Sequence, residues 1–191
     1  PSSVDEDAFL LPMTPLQRRI WREDRARSGT SALNGAFRVE ITGPLDTGIL
    51  TQAIRLLGDR HEILKASCVV IDGEPQLVVR PGLLHELAVV DLSHFPVKEA
   101  DAAAEQQCAE IAKRPFDLEN GALGLFTLIR IEPERAILTL TFHQMIIDGW
   151  SVSLLLGELP QLYVSISEND PSRVPAPKLQ FGDYAAWLEA A

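Results

Sequence analysis

The sequence predicts a layered α/β sandwich on a mixed sheet, and three observations carry that expectation. Helical stretches alternate with strands along the chain. Two of the strand pairs read as hairpins, "ASCVVIDGEPQLVVR" around Asp72-Gly73 and "GLFTLIRIEPERAILTLTFHQ" turning at Glu132-Pro133-Glu134. The 191 residues, 46% apolar and 23% charged, suffice for one sizeable core or one lobe of something larger.

Each element has a local signal. Thr14-Pro15 opens a first helix, with a hydroxyl cap followed by proline where its missing N–H costs nothing; "TPLQRRIWREDRARS" is expected to end near Gly29. "GAFRVEITG" alternates apolar and polar residues as a strand does. In "DTGILTQAIRLLGDRH", Ile49, Leu50, Ala53, Ile54 and Leu57 share one helical face, with Asp46 as a cap. "ELAVVDLS" reads as a strand and "VKEADAAAEQQCAEIAKRP" as a helix of strong Ala and Glu propensity. "WSVSLLLGELPQLYVSIS" is helical and apolar all round, hence expected to be largely buried, with Pro160 kinking or splitting it. "SENDPSRVPAPKLQ" is a connector, and "FGDYAAWLEAA" a final short helix.

Composition narrows the function classes. A formal charge of −10 argues against a nucleic-acid surface, which needs clustered Lys and Arg. No run approaches the roughly 18 apolar residues that span a membrane, and no secretory leader is visible. Cys68 and Cys108 form no CxxC pair and are expected to be reduced thiols of a cytoplasmic protein. Pro1 in place of a starting Met fits an excised piece or a segment of a longer polypeptide.

The stretch "TFHQMIIDGWS" carries the candidate chemistry. His143 and Gln144 are consecutive at a strand end, so their side chains should leave on opposite faces, one inward and one toward a cleft. Asp148 follows on a loop that Gly149 lets turn sharply, and Trp150 begins a helix. Strand–loop–helix junctions commonly hold ligands in α/β proteins. A lone His at a strand end is nonetheless more often structural, and Asp-Gly before a helix more often a cap than an acid. A metal site is not expected: one His and one Asp lack further ligands, and His61, His85 and His94 do not complete a set.

Four segments, "LLPMTPLQRRIW", "RHEILKASCVV", "TFHQMIIDGWS" and "LQFGDYAAWLE", resemble in order and spacing the first four core motifs of the condensation domains of nonribosomal peptide synthetases. "RPFDLENGALGLFTLIRI" resembles the stretch ahead of the third motif. The resemblance implies a chloramphenicol-acetyltransferase-like fold, with residues 1–191 as the N-terminal lobe and the C-terminal lobe absent. It implies amide-bond formation between a donor acyl or peptidyl thioester and an acceptor aminoacyl amine. Both would be tethered to carrier proteins through phosphopantetheine arms, with no intrinsic cofactor. One lobe alone should expose an apolar face toward its partner.

In the family the third motif is HHxxxDG. Here His143 stands at its first His, Gln144 at the second, and Asp148 and Gly149 at its end. The resemblance assigns the chemistry to the second His, as general base or as the group that positions the amine. It makes the first His and the Asp chiefly structural, the Asp paired with a basic side chain; Arg18, Arg19, Arg60 and Lys65 are the candidates, and Trp150 lies beside them as structural support. Lys65 departs from the family's usual Arg, which removes a bidentate pair. An imidazole accepts a proton at neutral pH, whereas a carboxamide only hydrogen-bonds. The copy is therefore expected to be inactive or weak, by about 10²–10⁴-fold if a general base is needed. Alternatives are a degenerate condensation-like domain that docks carrier proteins or a tailoring enzyme, and an ester-forming acyltransferase of the same superfamily. The first, second and fourth motifs favour the peptide-synthetase branch.

Overall fold

A computed structural model describes residues 7–27 and 30–190. In chain order the elements are β1 (Phe9–Leu11), α1 (Pro15–Arg27), β2 (Asn34–Thr42), α2 (Thr47–Arg60), β3 (Ala66–Ile71) and β4 (Glu74–Val79). They continue with β5 (Leu87–Asp91), α3 (Val97–Ala112), β6 (Gly124–Glu132), β7 (Arg135–His143), α4 (Gly149–Ser167) and α5 (Phe181–Ala190). α1 is described through Arg27; the expected end near Gly29 lies outside the described residues.

The main sheet has the order β2-β7-β6-β5 and is mixed, because β5 pairs parallel to β6 while the other pairs are antiparallel. β6 and β7 are central and buried on both faces. Leu128, Leu138, Leu140 and Phe142 face α2 and α4, and Ile129, Ile131 and Ile137 face α3. Each such side chain, fully buried, stabilises the fold by about 1.5–3 kcal/mol. The α2 stripe matches the expectation: Leu50, Ala53, Ile54 and Leu57 are buried, Ile49 only partly. Asp46 caps α2, its Oδ1 accepting from Gly48 N–H at 2.8 Å and Ile49 N–H at 3.0 Å.

The β3–β4 hairpin turns through Asp72 (φ 52°) and Gly73 (φ 85°), the paired positive φ values of a two-residue hairpin loop. It does not join the main sheet. With β1, which sequence periodicity does not reveal, it forms a separate three-stranded sheet in the order β1-β4-β3.

Two expectations for α4 are corrected. The helix is not split at Pro160, which lies on its exposed side, where water can serve the carbonyl that loses its N–H partner. Nor is α4 largely buried: it packs on one face of the sheet, so only Val152, Leu155, Leu159, Leu162 and Ser165 are covered, and Leu154 is 48% exposed. No helix among the described residues is long and apolar enough to cross a membrane. Both cysteines are free, and burial pushes the Cys68 thiol up to about 11.

Candidate functional site

The site is the loop between β7 and α4. β7 ends at His143, whose N–H donates to Leu123 O at 2.9 Å; Gln144 N–H then donates to Leu33 O at 2.9 Å. The two side chains part as strand alternation demands. His143 is 2% exposed, and Gln144 is exposed. Met145, Ile146 and Ile147 turn inward as an apolar floor, and Asp148 returns to the surface.

Two open hollows flank the loop, of about 600 Å³ and about 480 Å³. Leu16, Ile20, Gln144, Ile147 and Asp148 line both, so Gln144 stands on the shared wall. The larger hollow continues to His61, Phe181 and Tyr184. His61 Nε2 lies 2.9 Å from a carboxylate oxygen of Glu158, which Arg60 Nε also approaches at 3.2 Å. The Gln144 carboxamide makes no hydrogen bond with the described residues and is free to meet a ligand from either side.

His143 is built in differently. Its Nδ1 accepts the Met145 N–H at 3.2 Å, which leaves the ring proton on Nε2. Asp24 Oδ1 on α1 lies 3.4 Å from Nε2, close enough for electrostatic attraction but out of line for a formed hydrogen bond. Burial holds the imidazole below its ordinary pKa, and Asp24 opposes that shift in part. Phe116 packs edge-on against the ring at 6.2 Å between ring centres.

Asp148 caps α4. Its Oδ1 accepts from Ser151 N–H at 2.8 Å and Ser151 Oγ–H at 2.7 Å, bonds that hold its carboxyl below the usual carboxylate range. The expected pairing with a basic side chain does not form among the described residues, and three of the four candidates have other partners. Arg18 donates to Met13 O and faces Glu74 at 3.6 Å. Arg60 is held by Glu158 and by the carbonyls of Val174 and Pro175. Lys65 is buried against Asp59 and Pro81 O. Arg19 borders the smaller hollow beside Asp148 without an ion pair to it.

Gly149 and Trp150 also need correction. Among the described glycines positive φ occurs at Gly43 and Gly73, so Gly149 is not needed for a turn; it leaves open space at the smaller hollow, where a Cβ would meet nothing within 4 Å. Trp150 projects 84% exposed from the start of α4, so it is not packed as a support among the described residues. Sequence reasoning missed Gln17, Asp24 and Glu158. Gln17 carried a signal, standing three residues after the Thr14 cap as in a capping box. Asp24 and Glu158 carried none. No cluster of three or more His, Cys, Asp or Glu suited to a metal occurs among the described residues.

A mixed sheet whose central strand ends in a loop between two open hollows defines an α/β domain with a ligand-sized cleft at one sheet end. The chain belongs to the condensation-domain family, whose model matches residues 9–191. It is 32% identical over 177 residues to a linear gramicidin synthase polypeptide of Brevibacillus parabrevis, covering 93% of this chain and 2% of that protein. It is 33% identical over 187 residues to phosphinothricin tripeptide synthetase PhsC of Streptomyces viridochromogenes, covering 98% of this chain and 17% of that protein. The fold matches the first condensation domain of the calcium-dependent antibiotic synthetase in complex with a substrate analogue, at TM-score 0.83 and 22% identity, over 95% of this chain and 45% of that one. It also matches the starter condensation domain of rhizomide synthetase RzmA, at TM-score 0.84 and 18% identity, over 95% and 44%. The chain thus spans a small part of these synthetases and under half of each solved chain.

Proposed function

We propose that this chain is the N-terminal lobe of a condensation domain in a nonribosomal peptide synthetase, working in the cytoplasm on a secondary-metabolite peptide. With a C-terminal lobe it would enclose the cleft and join two carrier-bound substrates. The acceptor's amine nitrogen would form a C–N bond to the donor's thioester carbonyl carbon. The C–S bond would break, and the donor carrier's phosphopantetheine thiol would leave. The supporting observation is the position of Gln144, exposed on the wall between two hollows at the end of β7. A side chain there can meet one substrate from each side. Exposed Leu16, Leu179, Tyr184 and Trp187 support a covering partner lobe.

Gln144 sets the expected rate. Its carboxamide can hold the amine in place, a contribution from proximity, but cannot take the proton released as the bond forms. The same residue favours a second reading, a non-catalytic domain that docks carrier proteins. Peptide-bond formation by the two-lobed parent with both loaded carriers separates them, measured as it stands and with Gln144→His. Rescue by about 10²-fold or more supports a condensation machine lacking its base. Equal, brisk turnover by both would show that orientation suffices at position 144. Silence in both, with folding and carrier loading verified, favours docking.

A further inference from the structure

Met145 is 1% exposed, and each of its backbone polar groups is held by a side chain. Its N–H donates to His143 Nδ1 at 3.2 Å, and its carbonyl accepts from Gln17 Nε2 at 2.9 Å. Gln17 is 4% exposed and is itself fixed, because Thr14 N–H and Oγ–H donate to its Oε1 at 3.0 and 3.1 Å. That arrangement spends the amide oxygen on the cap of α1 and aims the NH₂ at the loop. At the other end of the same helix, Asp24 faces the Nε2 edge of His143 at 3.4 Å. An acceptor there favours the tautomer with the proton on Nε2, which is the one that leaves Nδ1 able to receive Met145 N–H.

We infer that Gln17 and Asp24 are positioning residues: α1 sets the conformation of the loop bearing Gln144, Gln17 by gripping the Met145 carbonyl and Asp24 by fixing the His143 tautomer that grips its N–H. Gln144 precedes Met145 directly, so a turn of that peptide would re-aim its carboxamide between the two hollows. A buried peptide group without partners is costly, which gives each side chain leverage over the loop. Only the catalytic consequence rests on the proposed function.

The test uses the isotopically labelled chain as it stands, at pH 8. His143 ring-nitrogen shifts report the tautomer, and amide exchange at Met145 reports the loop. The Gln17→Glu variant keeps an acceptor for Thr14 while replacing the donor to Met145; Asp24→Leu removes the acceptor facing His143, and Asp24→Asn retains one. Wild type should carry the proton on Nε2. Gln17→Glu and Asp24→Leu should each speed Met145 exchange about tenfold, the loss of roughly one hydrogen bond. Asp24→Leu should also populate the Nδ1-protonated ring, and Asp24→Asn should restore the wild-type pattern. Protection at Leu138 in the sheet core should not change. Met145 exchange within about twofold of wild type in both disruptive variants would overturn the inference, as would a proton on Nδ1 in wild type or parallel loosening of Leu138. In a two-lobed parent carrying Gln144→His, Gln17→Glu should lower kcat more than it raises KM. A parent silent even before that change would count against the functional reading alone, leaving the exchange data to decide the positioning roles.

Discussion

Asp148 and Ser151 form a closed N-cap, one carboxylate oxygen accepting both the backbone N–H and the hydroxyl of Ser151. Asp148 thus starts α4 and makes no ion pair among the described residues. If capping is its role, Asp148→Ala should cost about 0.5–2 kcal/mol in urea unfolding and Asp148→Asn far less, since Asn caps nearly as well. Equal losses for the two variants would point instead to a charge partner. The stabilisation from its lowered pKa is present above the unfolded carboxylate's value, about 3.9, and is lost as pH falls through the folded value.

A second pH dependence lies higher. Burial holds both His85 and His143 below the ordinary imidazole range, with His85 Nε2 2.9 Å from Leu64 O. Unfolded histidines titrate near about 6.5. Below that pH the unfolded chain binds protons that the folded chain refuses, so stability should fall as pH drops from about 6.5 toward the lowered folded values. Urea midpoints at pH 7.5, 6.5 and 5.5 would show it. A midpoint that does not change across that window would contradict neutral burial of both rings.

Where local physics decides the outcome, the sequence was readable. Strand alternation alone parts His143 from Gln144, and the Asp46 cap, the Asp72-Gly73 turn and the α2 stripe follow from short-range signals. Condensation-domain membership was legible in four short segments that resemble the family, and the family model matches residues 9–191. Long-range partners were not. β1 is three residues without alternation and exists because β4 pairs with it, which draws the β3–β4 hairpin out of the main sheet. The burial of α4 depends on what covers it, which apolar content does not reveal. The contact of His143 with Asp24, and the diversion of Arg60 and Lys65 to Glu158 and Asp59, are set by packing between distant segments.

Glu158 bridges the Arg60 guanidinium and the His61 imidazole, and its loss should be felt beyond α4. Arg60, His61 and Glu158 side chains are 12%, 14% and 17% exposed, and Arg60 also holds the carbonyls of Val174 and Pro175 in the connector to α5. Glu158→Gln should destabilise by about 1–3 kcal/mol, because it leaves a shielded guanidinium without its counter-charge. Calorimetry or urea unfolding measures this. A change under about 0.5 kcal/mol would place the group among ordinary surface pairs.

Gly124 at the start of β6 is the most crowded of the described glycines in the main sheet. A Cβ there would lie 2.7 Å from Cδ1 and Cε1 of Phe142, a fully buried ring set edge-on against Phe126 at 5.5 Å between centres. The carbons of a fully buried aromatic ring cannot swing aside as a flexible chain end would. Gly124→Ala should therefore cost about 1–3 kcal/mol through overpacking. Gly157→Ala is the matched control, since its Cβ would meet nothing within 4 Å on the exposed side of α4. There the gain in helix propensity should dominate and stabilise the chain by up to about 1 kcal/mol. Opposite signs for the two substitutions in one urea series would show that close packing of Phe142, rather than a general need for glycine, sets the requirement at position 124.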